Sequence, residues 1–111
     1  MQKITILLFS FNAEEIVMQL KELLPVTTVV SCAPKENAYH PVRKERPRYV
    51  LIDACLPERI IEEIHSASEE AKWDFDIQLD HVLVGQTDLR PPGVHIFPSL
   101  QEVAELIKEN F

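Results

Sequence analysis

The sequence predicts an α/β domain in which helices cover both faces of a parallel sheet. Apolar or β-branched runs, typical of buried strands, alternate along the chain with segments of helical periodicity. Such alternation favours a three-layer α/β/α, doubly wound sheet with right-handed crossovers. The most informative run is RYVLIDACLP at 48–57, where a buried strand ends at Asp53 and a helix opens near Pro57. Open α/β sheets place their chemistry at the carboxyl ends of strands, so Asp53 is the first candidate functional residue.

Length and charge indicate one domain and exclude two classes of partner. At 111 residues the chain is long enough for one hydrophobic core and too short for two. Its net charge of -7 argues against non-specific binding to nucleic acid. No apolar run approaches the ~20 residues needed to span a bilayer, and no signal-peptide pattern precedes the first strand. We therefore expect a single domain over 1–111 that is cytoplasmic and binds neither nucleic acid nor membrane.

The first third of the chain predicts a strand, a helix and a second strand. Residues 4–9 form a continuous apolar run, as expected for a strand buried on both faces. Asn12 with Glu15 has the spacing of a capping box, and an apolar stripe follows until Pro25 stops the helix. The β-branched run at 26–30 predicts the second strand.

The middle third predicts a short helix, the third strand and a longer helix. Three prolines limit any helix within 31–47 to a short piece. The third strand is Tyr49–Asp53, and the next helix runs from Pro57 to about Lys72. From 73 to 80, large apolar residues then alternate with polar ones, mostly acids. That two-residue period predicts an extended segment or an extra edge strand with an acidic outer face.

The last third predicts two strands, at 81–84 and 94–97, and a final helix that begins with a capping box at Ser99 and Glu102. Only the nine residues 85–93 join the two strands, whereas a parallel crossover usually takes a dozen or more. We expect the crossover helix to be reduced to a loop, rather than the fifth strand to be antiparallel.

Charge is unevenly distributed and offers candidate partner surfaces. Basic residues cluster in the connection before the third strand, and acids dominate from 53 to 80. The basic cluster is either a solvated face or a site for an acidic partner, and the edge around Trp73 is either a partner surface or merely solvated. The candidates on the basic side are Lys35, Arg43, Lys44, Arg46 and Arg48.

Several of these segments resemble the receiver domains of bacterial response regulators. The segment 6–24 is similar to the family's first strand and helix, Tyr49–Asp53 to the strand that carries the phospho-acceptor aspartate, and Leu56-Pro57 to the pair that follows it. The resemblance covers nearly the whole chain. It implies a flavodoxin-like sheet of strand order 2-1-3-4-5 with a shortened or missing fourth helix. It also implies a role in two-component signal transduction, with Asp53 as the acceptor.

The chain departs from the family's pattern at the groups that serve the acceptor. The family places two acids after the first strand to hold Mg²⁺, and here the residues are Ser10, Phe11 and Asn12. It places a lysine before a proline after the fifth strand, and here the residue before that proline is Phe97. The hydroxyl after the fourth strand is Thr87 at best.

These departures indicate a pseudo-receiver that acts without phosphorylation. Magnesium prefers an octahedron of oxygens that includes carboxylates, and phosphoryl transfer needs its charge neutralised. We therefore expect no metal, no cofactor and no catalysis, with Mg²⁺ bound only if Asp53 is an active acceptor. The leading interpretation is a signalling module that binds a protein, including a second copy of itself. An apolar crevice of Ser10, Phe11, Asp53 and Phe97 would suit a peptide or a small ligand.

Three other interpretations stay open. The domain could be a phosphorylatable receiver that uses Asp53, a flavodoxin-like domain that binds a small ligand, or a small enzyme that uses Cys55 or Asp53. A sugar-transport phosphocarrier is disfavoured, because its cysteine position after the first strand holds Ser10. In the implied strand order Cys32 and Cys55 lie two strands apart, roughly 9–10 Å, so we expect free, partly buried thiols. The four histidines lack metal-ligand spacing.

Overall fold

The computed structural model describes residues 4–24, 28–32, 39–85 and 93–109. Five strands and four helices lie in these ranges. In chain order they are β1 (Thr5–Phe9), α1 (Ala13–Leu23), β2 (Thr28–Cys32), α2 (Tyr39–Glu45), β3 (Tyr49–Asp53), α3 (Glu58–Phe75), β4 (Asp80–Val84), β5 (Val94–Phe97) and α4 (Leu100–Glu109). No helix in these ranges is long and apolar enough to cross a membrane.

The five strands form one parallel sheet, which confirms the predicted fold class. The strand order is β2-β1-β3-β4-β5. The pairing register places Phe9 beside Ile52, and Asp53 beside Val84, so the carboxyl ends of the central strands lie along one edge. β5 pairs in parallel with β4, from His81 beside Val94 onward. The connection between them is therefore a short parallel crossover, although its residues 86–92 lie outside the described ranges.

The three central strands bury both of their faces, in two apolar clusters. Alternate residues of β1, β3 and β4 pack against α1 and α4 on one face and form the α1/α4 cluster, with Leu8, Leu51 and Val82 at the centre. The intervening residues pack against α2 and α3 on the other face and form the α2/α3 cluster, with Ile52 and Leu83 among them. This division agrees with the predicted three-layer arrangement, in which helices cover both faces of the sheet.

The helix starts lie close to their predicted positions, with different capping. Asn12 is the N-cap of α1, but its side chain makes no capping hydrogen bond. Its backbone N–H instead donates to Oγ of Ser10 at 3.0 Å. The predicted capping box of Asn12 and Glu15 therefore does not supply the hydrogen bonds at this helix terminus. Pro57 is likewise the N-cap residue of α3, and the helix begins one residue later, at Glu58.

The prediction of an extended segment at 73–80 is wrong. α3 continues to Phe75, and Asp76 ends it in the left-handed conformation with a φ of 50°. Ala67, Ala71 and Phe75 recur at four-residue spacing and all pack against the α2/α3 cluster. The alternation of apolar and polar residues at 73–80 favoured a strand in the sequence analysis, although the four-residue spacing of these three residues is helical. As a result Trp73 lies on the outer side of α3 and is 82% exposed.

Candidate functional site

Asp53 lies at the carboxyl edge of the sheet, where both of its carboxylate oxygens accept hydrogen bonds. It is half-buried at the end of β3. The hydroxyl of Ser10, which follows β1 and is only 3% exposed, donates to Oδ2 at 2.7 Å. The backbone N–H of Cys55 donates to Oδ1 at 2.9 Å. The second bond is that of an Asx turn, which agrees with a turn-forming role for this aspartate.

Ser10 connects Asp53 to the first helix. Its hydroxyl donates to the carboxylate and also accepts the backbone N–H of Asn12, at the start of α1. A hydroxyl can make both bonds at once because it has one donor and two acceptor positions. The bond to the carboxylate is charge-assisted, so it is the stronger of the two. The aspartate therefore ties the ends of β1 and β3 to the start of α1.

Gly85 holds the neighbouring strand ends close together. Its φ of 122° favours glycine, and a Cβ at this position would lie 3.2 Å from Cβ of Ala54. The N–H of Gly85 donates to the carbonyl of Phe97, and the N–H of Ala54 donates to that of Val84, each at 2.8 Å. The loop after β3 is thus tied to the ends of β4 and β5.

The predicted apolar crevice of Phe11 and Phe97 beside Asp53 stays a prediction. Phe11 is 59% exposed and lines an open depression of about 420 Å³ along the first turn of α1. Asp53 and Phe97 are not among the residues that line it. Phe97 is half-buried and packs against the α1/α4 cluster, because its strand places the ring on that face of the sheet. Thr87, the candidate hydroxyl, lies outside the described residues.

Among the described residues, those around Asp53 do not fit a receiver-type Mg²⁺ site. The three residues after β1, Ser10 to Asn12, contain no carboxylate. The buried Ser10 hydroxyl is already engaged with Asp53 and with Asn12. Phe97 supplies no positive charge where the family has a lysine. One carboxylate and one engaged hydroxyl fall short of the oxygen ligands that Mg²⁺ takes.

Cys55 is exposed, contrary to the expectation of a partly buried thiol. The negative charge of Asp53 raises the pKa of this thiol, and a hydrogen bond between the two side chains raises it further. A raised pKa disfavours the thiolate, which is the nucleophilic form. This argues against thiol catalysis at Cys55. Cys32 ends β2, and its side chain lies outside the described part of the chain.

The basic connection and the acidic segment, predicted as partner surfaces, contact each other. Arg43 of α2 forms an ion pair with Asp74 near the end of α3. Arg48 pairs with Asp80 at the start of β4, with its Nη1 2.6 Å from Oδ2. Each of these two arginines therefore already has an acidic partner within the chain, and their role as a surface for an acidic partner stays a prediction.

The aromatic rings beside these arginines engage them further. The guanidinium of Arg46 lies 4.1 Å from the ring centroid of Phe75, and that of Arg48 lies 4.5 Å from the ring centroid of Tyr49. Such cation–π contacts contribute about 0.5–1 kcal/mol at exposed sites. Of the remaining partner-surface candidates, Lys44 and Trp73 are exposed on α2 and α3, and Lys35 lies outside the described residues.

The structure assembles one cluster that the sequence analysis missed. Nε2 of His65 and Nδ1 of His81 lie 3.9 Å and 3.7 Å from Oε1 of Glu69. The two imidazole rings are 4.8 Å apart between centroids. Burial, together with the charges of His65 and Lys72, lowers the pKa of His81 to about 4, although the charge of Asp80 acts in the opposite direction. The four-residue spacing of His65 and Glu69 was the available signal, but nothing local indicated that β4 would bring His81 to them.

The fold is similar to that of a receiver domain of known structure. The signal receiver domain of the response regulator NarL from Mycobacterium tuberculosis matches with a TM-score of 0.65. The match covers 99% of this chain and 97% of that chain, at 15% sequence identity. No protein-family model matches the sequence, and no curated protein gives a significant match. At this identity the likeness shows the fold: the chain has the flavodoxin-like architecture of a response-regulator receiver.

Proposed function

We propose that this chain is a pseudo-receiver: a non-catalytic signalling module that binds a protein partner without phosphorylation of Asp53. The observation that carries the proposal is the hydrogen bond from the buried Ser10 hydroxyl to Asp53 Oδ2. A serine that donates to the carboxylate occupies the position where a working receiver holds an acid that binds metal.

Charge at this edge of the sheet supports the proposal. An incoming phosphoryl group brings negative charge that metal ions and cations must neutralise. Ser10 and Phe11 are uncharged, and so is Phe97 at the end of β5. The two carboxylate oxygens also already accept hydrogen bonds, from Ser10 and from the N–H of Cys55, and such bonds make them weaker nucleophiles. The lack of positive charge and the existing hydrogen bonds both raise the barrier to phosphorylation.

The partner surface that we propose is centred on Trp73. Its side chain is 82% exposed, and Lys44 is exposed on the neighbouring helix α2, which packs against α3. Tryptophan is enriched among the residues that dominate binding energy at interfaces. The arginines near it are held by acids and rings of the same chain, so we propose that they position this surface rather than supply free charge. The partner is a protein, either a second copy or another chain in the cytoplasm.

The experiment that tests the phosphorylation claim is an amide NMR titration with Mg²⁺ and then with beryllofluoride, a phosphoryl mimic. Wild type and Asp53→Asn are compared. We expect no saturable shifts at Ser10, Asp53 or Cys55 at millimolar Mg²⁺, in either protein. Saturable shifts there in wild type alone would instead establish a phosphorylatable receiver, which is the alternative that the position of Asp53 favours.

The partner claim is tested first as self-association. Sedimentation equilibrium compares wild type with Trp73→Ala and with Met18→Ala, a matched control because Met18 is 67% exposed on α1. A dimer that is lost only in Trp73→Ala would identify a second copy as the partner. If wild type is monomeric, the same three proteins serve as baits for other proteins. Equal capture by wild type and Trp73→Ala would contradict the proposed surface.

A further inference from the structure

We propose that His65, Glu69 and His81 form a binding site for a divalent transition-metal ion of the zinc type. Each of the three side chains offers one ligand atom, and these atoms all lie within 4.8 Å of one another. The site is independent of Asp53 and goes beyond the proposed signalling function.

The spacing of the ligand atoms is close to that of a coordinated ion. Two nitrogen or oxygen ligands of a tetrahedral zinc ion lie about 3.4 Å apart, because each is about 2.1 Å from the metal. The carboxylate oxygen of Glu69 is 3.9 Å from Nε2 of His65 and 3.7 Å from Nδ1 of His81. These separations exceed hydrogen-bond distance. Small side-chain rotations would therefore bring the three groups onto one ion.

Both histidines carry ring nitrogens that lack partners. Nε2 of His65 and Nε2 of His81 are buried and have no hydrogen-bond partner among the described residues. A buried polar group without a partner destabilises the fold. Coordination by His65 through Nε2 would satisfy that atom. His81 is 1% exposed, so its imidazole is held inside the protein beside the other two ligands.

The backbone holds the three ligands in place. His65 and Glu69 are four residues apart on α3, so they lie on the same face of the helix. His81 is fixed in β4 between Val50 of β3 and Val94 of β5. It stands three residues before the carboxyl edge of the sheet, about 10 Å along the strand from the level of Asp53. A metal ion bound here would link α3 to β4.

The ligand set selects the class of metal. Two imidazoles and one carboxylate suit Zn²⁺ and similar ions, whereas Mg²⁺ and Ca²⁺ prefer oxygen ligands throughout. Glu69 is half-buried at the surface end of the cluster. Three protein ligands leave at least one coordination position for water or for a group from a partner.

The test is calorimetric titration of the protein with Zn²⁺, in the Cys55→Ser background so that the exposed thiol cannot bind the metal. We expect one strong site per chain. His65→Gln and Glu69→Gln should each weaken binding about tenfold or more. The matched control is His95→Gln, because His95 is exposed on β5 and should leave the affinity unchanged.

A second measurement locates the metal without relying on a variant. Long-range NMR spectra of the imidazole rings should show Zn²⁺-dependent shifts at His65 and His81, with His40 and His95 unaffected. At a hundredfold excess of Zn²⁺ over the Kd, the Tm should rise on the order of 10 °C. Absence of one-to-one binding, equal affinity in His65→Gln and wild type, or shifts confined to His40 or His95 would overturn the proposal.

Discussion

Removal of the Asp53 carboxylate should destabilise the fold, and the size of the effect follows from its two hydrogen bonds. Asp53→Ala leaves the Ser10 hydroxyl, which is 3% exposed, without its acceptor. A hydrogen bond to a charged group contributes about 1.5–3 kcal/mol. The N–H of Cys55 also loses its acceptor, but Cys55 is exposed and water replaces the carboxylate there. We expect a loss of about 2 kcal/mol in the free energy of unfolding.

A double-mutant cycle isolates the bond between the two side chains. Ser10→Ala should cost a similar amount, about 2 kcal/mol, because it removes the same bond and the acceptor for the N–H of Asn12. If the bond accounts for most of each loss, the double variant is destabilised by far less than the sum of the two. The expected coupling energy is about 1.5 kcal/mol, measured from urea denaturation curves of the four proteins.

The sign of the Asp53→Ala effect tests the structural role of this residue. A carboxylate that accepts hydrogen bonds from Ser10 and Cys55 stabilises the fold, so its removal should lower the free energy of unfolding. A stabilised Asp53→Ala protein, or a coupling energy below about 0.5 kcal/mol, would refute the structural role assigned to this aspartate.

Three further predictions concern other parts of the chain. With a chelator present, stability should fall by about 3 kcal/mol as the pH drops from about 6.5 to 4, because the pKa of His81 is lowered from 6.5 to about 4 and the unfolded chain binds the proton more readily. His81→Gln should lack this loss in urea denaturation, and parallel profiles for the two proteins would contradict the assignment. Asp53→Asn should speed alkylation of Cys55 near pH 8, measured by peptide mass spectrometry, because the charge that raises the thiol pKa is gone; an unchanged rate would count against this cause. Asp76→Gly should raise the free energy of unfolding by about 0.5–1 kcal/mol, because a glycine tolerates the φ of 50° that ends α3. A lower Tm in that variant would show that the Asp76 side chain contributes more than its backbone strain costs.

The sheet was predictable because each strand carries its own signal. The runs that became β1 and β3 are continuously apolar, and burial on both faces of a parallel sheet demands that composition. The end of α3 was not predictable in the same way. In the last turn of α3, apolar and polar residues alternate along the sequence, as they would in a strand. Only the packing of Phe75 against the α2/α3 cluster shows that this turn is helical.

Contacts at the candidate site could be predicted only where the order of the strands in the sheet brings two residues together. Asp53 and Ser10 end neighbouring parallel strands, so the strand order brings them together. The pairs Arg43–Asp74 and Arg48–Asp80 join residues 31 and 32 positions apart. The first depends on how α2 packs beside α3, and the second on the pairing of β3 with β4. The sequence shows the two charged segments but not that they face each other. His81 reaches Glu69 for a similar reason, through a helix-to-strand contact that no local pattern encodes.

The hydrogen bonds at Asp53 also constrain how this module could carry a signal. A ligand shifts a conformational equilibrium only by its difference in affinity between the two states. A phosphoryl group on Asp53 would find no metal-binding acid after β1 and no lysine after β5. It would therefore bind almost equally well in both conformations and would shift the equilibrium between them little. If the partner surface lies at Trp73 on α3, it is then presented constitutively, and control must come from elsewhere. A metal held by His65, Glu69 and His81 would act on that same helix, because two of its three ligands are residues of α3.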